Sequence, residues 1–315
     1  MVVARHVDGI REGGRTVLKC SSYSHRGIDM RLMRFEQAGR IGVAVETEAG
    51  WRARYEGEPG FPGDVGAIAA LSGQQRVAAI EALQSGVAVD ATTVSFLPPC
   101  ASPGKIICLG LNYRDHAHEF DFKPPSYPTL FARFATSLIG HGQPLVRPRV
   151  STDFDYEGEM AVILGRGGRH IDEAAALSHV FGYTIFNDGS IRDYQMRTPQ
   201  WTVGKNFDGT GAFGPWVVSA DELPPGGVGL MLETRLNGEV MQRASTSDMI
   251  FGVAQTIALL SEAITLDAGD VLVMGTPSGV GYARKPPVYM KAGDVCEVAI
   301  ERIGTLRNPV VDEPM

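Results

Sequence analysis

Glu157 and Glu159 stand two positions apart in FDYEGEMAVILG, residues 154–165, where charge opens onto an apolar run. Alternate residues of a strand share a face, so both carboxylates point the same way, with Ala161 and Ile163 behind them. Like charges this close repel unless a cation lies between them. A third carboxylate, Asp188, ends the β-branched and aromatic run GYTIFND. If the two strands are neighbours, three carboxylates meet at one rim. Hard oxygen ligands of this kind, with no cysteine nearby, suit Mg2+, Mn2+ or Ca2+ rather than a structural zinc. Spacing alone also fits a solvated strand end, since charges commonly blunt strand ends. Asn-Asp-Gly is likewise ordinary turn chemistry.

Two further stretches carry reactive groups. In DHAHE, His116 and Glu119 are three apart, so one helical turn brings them together. A carboxylate on one imidazole nitrogen makes the other a better base. A loop histidine read by itself is more often solvent-exposed than catalytic. GTPSGVG, residues 275–281, is a glycine-rich turn whose successive amides can form an anion-binding nest. It lacks the spacing and the lysine of a P-loop.

These residues must be held by strands more than by helices. KIICLG, EMAVILG, GYTIFND, DVLVM and the closing GDVCEVAIERIGTLRNPVV read as strands bounded by turn residues. Asn237-Gly238 divides LMLETRLNGEVMQ as a hairpin turn would. DVGAIAALSG and QQRVAAIEALQ read as short helices. TSDMIFGVAQTIALLSEAI reads as the one long helix, capped by Ser247 or Asp248. No regular βαβ alternation appears, which excludes Rossmann and TIM architectures and leaves a β-rich α+β fold. LPPCASPGK, 97–105, is the best boundary. It separates a small α+β domain at 33–98 from a catalytic domain at 99–315, with 1–32 as an N-terminal extension.

The 315 residues have 44% hydrophobic and 21% charged content, ordinary for a globular protein. A net charge of -7 excludes the basic surface that nucleic-acid binding needs. The four cysteines show no CxxC spacing and suit a reducing compartment. No apolar run is long enough to span a membrane, and no signal-peptide pattern opens the chain. The expected location is cytoplasmic.

Several blocks occur in a characteristic order: GLNYRDHAHE, DFDYEGEMAVILG, GYTIFNDGSIRDYQ, VGKNFD, GPW, NGEVMQ, GDVLVMGTPSGVG and GDVCEVAIERIGTLRNPV. Over about residues 103–310 they resemble the fumarylacetoacetate hydrolase family. The resemblance implies a mixed β-sandwich roll, a homodimer, and a bound divalent metal, Mg2+ or Mn2+, with Ca2+ as a substitute. Glu157, Glu159 and Asp188 match the metal ligands. His116 and Glu119 match a water-activating pair in a lid segment, and Lys205 matches a lysine beside the metal. Arg192, Gln195 and Thr276 match substrate-contacting positions. Arg133 stands where many members carry lysine, and it is expected to bear on the acid end of the substrate. Phe120, Phe122 and Tyr127 are expected to shape the acyl pocket.

The activity expected from the resemblance is hydrolysis of a C–C bond in a 2,4-dioxo acid, giving pyruvate and a carboxylic acid. Acylpyruvates, fumarylpyruvate or maleylpyruvate from aromatic catabolism, and 2,4-dioxo-3-deoxy sugar acids are candidate substrates. The alternative is a decarboxylase or isomerase of a 2-oxo dicarboxylate such as oxaloacetate. A silent binding protein on the same fold is a third reading, against which the intact set of site residues argues.

Overall fold

The strand Gly158–Leu164 is buried at all seven positions, so both of its faces must be covered. The computed structural model shows how. It describes residues 30–115 and 126–315, with a short pairing of Arg11–Glu12 and Arg15–Thr16. His116, Glu119, Phe120 and Phe122 lie outside the described residues, as does most of the extension expected at 1–32.

Gly158–Leu164 lies within a 12-stranded sheet. Along its main path the order is 87–89, 50–55, 40–47, 31–37, 211–219, 180–188, 158–164, 271–273, 106–110 and 129–132. Strands 138–139 and 95–97 pair off this path. A five-stranded sheet of 145–147, 304–312, 295–300, 231–236 and 239–245 packs on one face. The sheets are mixed: 271–273 runs parallel to 106–110, and 145–147 parallel to 304–312.

Strand parity decides which core each side chain joins. Met160, Val162 and Leu164 face the five-stranded sheet and pack with Leu232, Val298, Ile300 and Leu306. Ala161 and Ile163 face the other way, toward Ile68, Ile80 and Leu83 of the helices Val65–Ala70 and Gly73–Gln84. Arg31–Gln37 pairs with Gly211–Ser219, so the N-terminal strands extend the same sheet as the strands that follow residue 99. They also share a core with them, since Leu32 and Val43 join the cluster of Ile106 and Val271.

Asn237 and Gly238 both have positive φ, and Leu236 pairs with Glu239 across them, which is the two-residue hairpin expected. The long helix differs from its expectation. It runs only over Val253–Ala263, shorter than Gly73–Gln84, and its N-cap is Gly252 rather than Ser247 or Asp248. Ser245 and Asp248 instead close a capping box around a separate 3-10 turn, Thr246–Asp248. The cause is Asn112. Its carbonyl oxygen accepts from Ile250 N at 2.7 Å, and its Oδ1 accepts from Phe251 N at 2.8 Å. Those long-range bonds hold 250–251 in a bend where local pattern alone favours helix.

Candidate active and metal site

Pairing between Gly158–Leu164 and Val180–Asp188 brings the acids together. Gly158 is opposite Asn187 and Glu159 opposite Phe186. One step further along the register, Asp188 faces Glu157, and Asp188 N donates to Glu157 O at 2.8 Å. Asn187 Oδ1 accepts from Glu157 N at 3.0 Å and locks the same junction. Glu157, Glu159 and Asp188 are all buried, and one oxygen of each lies within 4.8 Å of the others.

Among the described residues, three cations surround them. Lys205 Nζ stands 2.6 Å from both Glu157 Oε2 and Asp188 Oδ2. Arg192 Nη1 lies 2.6 Å from Glu157 Oε1, and its Nε donates to Asp155 Oδ2 at 2.8 Å. Arg133 Nη1 pairs with Asp188 Oδ1. Burial works against the Lys205 charge, but Asp188 and Glu157 outweigh it and lift its pKa above the usual lysine range. Arg192 is held charged in the same way by Glu157 and Asp155, against its burial.

Charge counting tests whether a metal fits. Among the described residues, four buried carboxylates, Asp155, Glu157, Glu159 and Asp188, face three cations. The unmatched acid is Glu159: no cation of the described residues pairs with it, and its Oε2 accepts only from Gly275 N. Burial, then the charges of Asp188 and Glu157, push its carboxyl well above the usual range. A divalent cation among the three acids answers both the excess charge and the repulsion, and the all-oxygen donor set suits Mg2+ or Mn2+.

A cavity of about 260 Å³ opens onto this floor. Glu157, Glu159, Arg192, Gln195, Lys205 and Thr276 form its polar part. Leu109, Leu111, Phe131, Met196 and Trp201 form an apolar wall, with Tyr282 also lining it. The Phe131 and Trp201 rings meet edge-on at 5.7 Å, and Lys205 Nζ lies 5.0 Å from the Phe131 centroid.

The expected substrate contacts fare differently. Gln195 lines the cavity, where its Oε1 accepts from Arg192 Nη1 at 2.8 Å. Arg192 pairs with Asp155 and Glu157 rather than with its neighbour Asp193. Thr276 also lines the cavity, but its hydroxyl donates to Gly158 O at 3.0 Å and accepts from Gln242 Nε2 at 2.8 Å. That hydroxyl proton is committed to the strand carrying the glutamates. Arg133, expected at the acid end of the substrate, has a side chain that is 0% exposed and paired with Asp188, and it does not line the cavity. Tyr127 is 52% exposed.

Asp155 is the residue that reading the sequence missed. Fully buried, it ties Arg192 to the turn at 281–282, accepting from Gly281 N at 2.8 Å and Tyr282 N at 2.9 Å. Its signal was present, because 155, 157 and 159 continue one alternation of acids.

Residues 105–311 match the family described as fumarylacetoacetate (FAA) hydrolase C-terminal. The Xenopus laevis protein named oxaloacetate tautomerase fahd2, mitochondrial, is 36% identical over 292 residues, 90% of this chain and 91% of its own length. A solved fumarylacetoacetate hydrolase from Exiguobacterium antarcticum is 35% identical with a TM-score of 0.75, covering 90% of this chain and 100% of its own. The solved 2-hydroxyhepta-2,4-diene-1,7-dioate isomerase from Mycobacterium marinum is 31% identical with a TM-score of 0.71, covering 91% and 100%. Hydrolase, isomerase and tautomerase names thus occur among the proteins this chain resembles, and the chain belongs to the fumarylacetoacetate hydrolase family.

Proposed function

We propose that the protein interconverts the enol and keto forms of a small 2-oxo dicarboxylic acid of the oxaloacetate class. The observation that carries this reading is the cavity floor, where the Lys205 ammonium stands 2.6 Å from both Glu157 and Asp188. Exchange between keto and enol forms passes through an enolate, so the enzyme needs fixed positive charge where that oxygen becomes negative. Lys205 stays protonated and serves as that charge rather than as a base. Glu157, Glu159 and Asp188 would hold Mg2+ or Mn2+, which when bound supplies Lewis-acid polarisation of the 2-oxo carbonyl. Arg192 and Gln195 orient the acid end. His116, steered by Glu119, would move the proton at carbon, in place of the water activation that the family resemblance implies for this pair. A cavity of about 260 Å³ lies just below the roughly 300–1,000 Å³ of common ligand pockets, which suits a four-carbon acid. The Xenopus laevis relative, aligned over 90% of the chain, supports the same substrate class.

The apolar wall favours a second reading. Leu109, Leu111, Phe131 and Trp201 would accept the acyl group of a 2,4-dioxo acid. His116 would then take a proton from water, and the hydroxide would attack the distal carbonyl. The C–C bond would break to leave the pyruvate enolate and a carboxylic acid. One assay separates these readings and the decarboxylase alternative. Oxaloacetate enol and an acylpyruvate are each followed by loss of enol absorbance with Mg2+ or Mn2+, and the products are identified. Tautomerisation accelerates enol decay while oxaloacetate remains intact. Carbon dioxide and pyruvate from oxaloacetate mark a decarboxylase. A second carboxylic acid from the acylpyruvate, with oxaloacetate enol untouched, contradicts the proposal and selects the hydrolase.

A further inference from the structure

Behind Asp188, on the side away from the cavity, the fold builds a slot for one guanidinium group. Arg133 fills it. Its Nε donates to Ser137 Oγ at 3.2 Å, and its Nη2 to Thr210 Oγ1 at 2.8 Å. Its Nη1 donates to Asp188 Oδ1 and, at 3.3 Å, to Gly189 O. The guanidinium carbon lies 5.5 Å from the centroid of the Phe186 ring. Both hydroxyls of the slot have already given up their protons. Ser137 Oγ donates to Phe134 O at 2.8 Å and Thr210 Oγ1 to Phe207 O at 2.6 Å. Toward Arg133 they can only accept, so the slot demands a group that only donates, and in several directions at once.

The wall opposite is cut to the same shape. Position 211 is glycine, and a Cβ there would lie 2.8 Å from Arg133 Nη2 and 2.9 Å from its Cζ. A lysine ammonium is a compact point charge without the planar fork. It cannot reach Ser137, Thr210 and Asp188 together.

The consequence falls on the metal-ligand carboxylate. With Oδ1 held from behind, Asp188 cannot rotate, and Oδ2 is the oxygen turned toward Lys205. We infer that Arg133 is a positioning residue for the cation site: it fixes the rotation of the Asp188 carboxylate and touches no substrate. The inference rests on the reading of Glu157, Glu159 and Asp188 as cation ligands. It replaces the substrate contact expected of this arginine.

The test uses the full chain freed of metal, with Mg2+ and Mn2+ affinity measured by calorimetry beside thermal melting. Arg133→Lys keeps the charge and loses the fork. It is expected to weaken divalent-cation binding roughly 10- to 100-fold, the usual cost of losing a partner that orients a ligand. The substrate KM measured at saturating metal should stay near the wild-type value. Gly211→Ala pushes on the guanidinium from the other side and should weaken binding in the same way. In the Arg133→Lys background the Gly211→Ala change should add little, because the group it collides with is gone. If Arg133→Lys fails to fold, Gly211→Ala decides alone. Unchanged cation affinity in a variant that only melts lower overturns the inference and leaves the function standing. Fully additive losses also overturn it, because the two residues would then not share a slot. Wild-type protein that binds neither cation removes the metal reading itself, and the inference with it.

Discussion

At the scale of single residues, the site is a charge problem with one unmatched member. Glu159 is buried, has no cationic partner among the described residues, and is pushed upward by burial, Asp188 and Glu157. In the metal-free protein Glu159→Gln should therefore raise the melting temperature at neutral pH. The sign follows from linkage. A carboxyl raised in the folded state favours folding below its unfolded pKa, and that stability is lost as pH rises. The advantage of Glu159→Gln should accordingly shrink as pH falls toward the usual carboxylate range. The same variant should lose Mg2+ and Mn2+ affinity in calorimetry. Asp155 is also pushed upward by burial, but it is matched to Arg192 and to three backbone amides, those of Tyr156, Gly281 and Tyr282. Asp155→Ala leaves a buried guanidinium short of a partner and should cost about 3–5 kcal/mol in urea unfolding. The three cysteines among the described residues are all buried. Burial, chiefly, pushes the Cys296 thiol up to about 12, and Cys100 and Cys108 are pushed up by burial as well. None of these three should react with a thiol reagent until the protein unfolds.

At the scale of elements, two adjacent strands and one asparagine do most of the placing. That Glu157 and Glu159 share a face was legible from strand parity, and the Asn-Gly hairpin from turn chemistry. That Asp188 stands opposite Glu157 was not, because parity says nothing about which strand is the neighbour. The start of the helix at Val253 was illegible for a related reason: the segment before it answers to Asn112, far away in the chain. Asn112 is fully buried, and its Nδ2 also donates to Phe251 O at 3.0 Å and Met274 O at 2.7 Å. Asn112→Ala strands these groups without water. It should cost about 1–3 kcal/mol, read as a shifted urea midpoint with an unchanged slope. The role of Arg133 was beyond a sequence reading because it depends on knowing what lies behind Asp188. Its residue type alone suggested a carboxylate, and the carboxylate turned out to belong to the protein.

At the scale of the whole molecule, a continuous sheet joins the N-terminal strands to those that carry the acids. Strand Arg31–Gln37 pairs with Gly211–Ser219, which in turn pairs with the strand ending at Asp188. Heating the full chain in a calorimeter should give one cooperative transition rather than two, and removing residues 1–98 should leave an open sheet edge and aggregating protein. Two separated transitions would contradict this. No helix among the described residues is long and apolar enough to cross a membrane. The homodimer implied by the family is a proposal that light scattering can test, with a mass twice that of the chain as the expected result. The central claim is that a divalent cation held by Glu157, Glu159 and Asp188 is required for turnover of an enolisable 2-oxo acid. Its most direct test is the rate of oxaloacetate enol decay with wild-type protein and with Glu157→Ala, each supplied with Mg2+ or Mn2+ and each again after exhaustive chelation. Acceleration by metal-loaded wild type, with the chelated protein and the variant both at the uncatalysed rate, is the predicted result; full activity of chelated Glu157→Ala would contradict it.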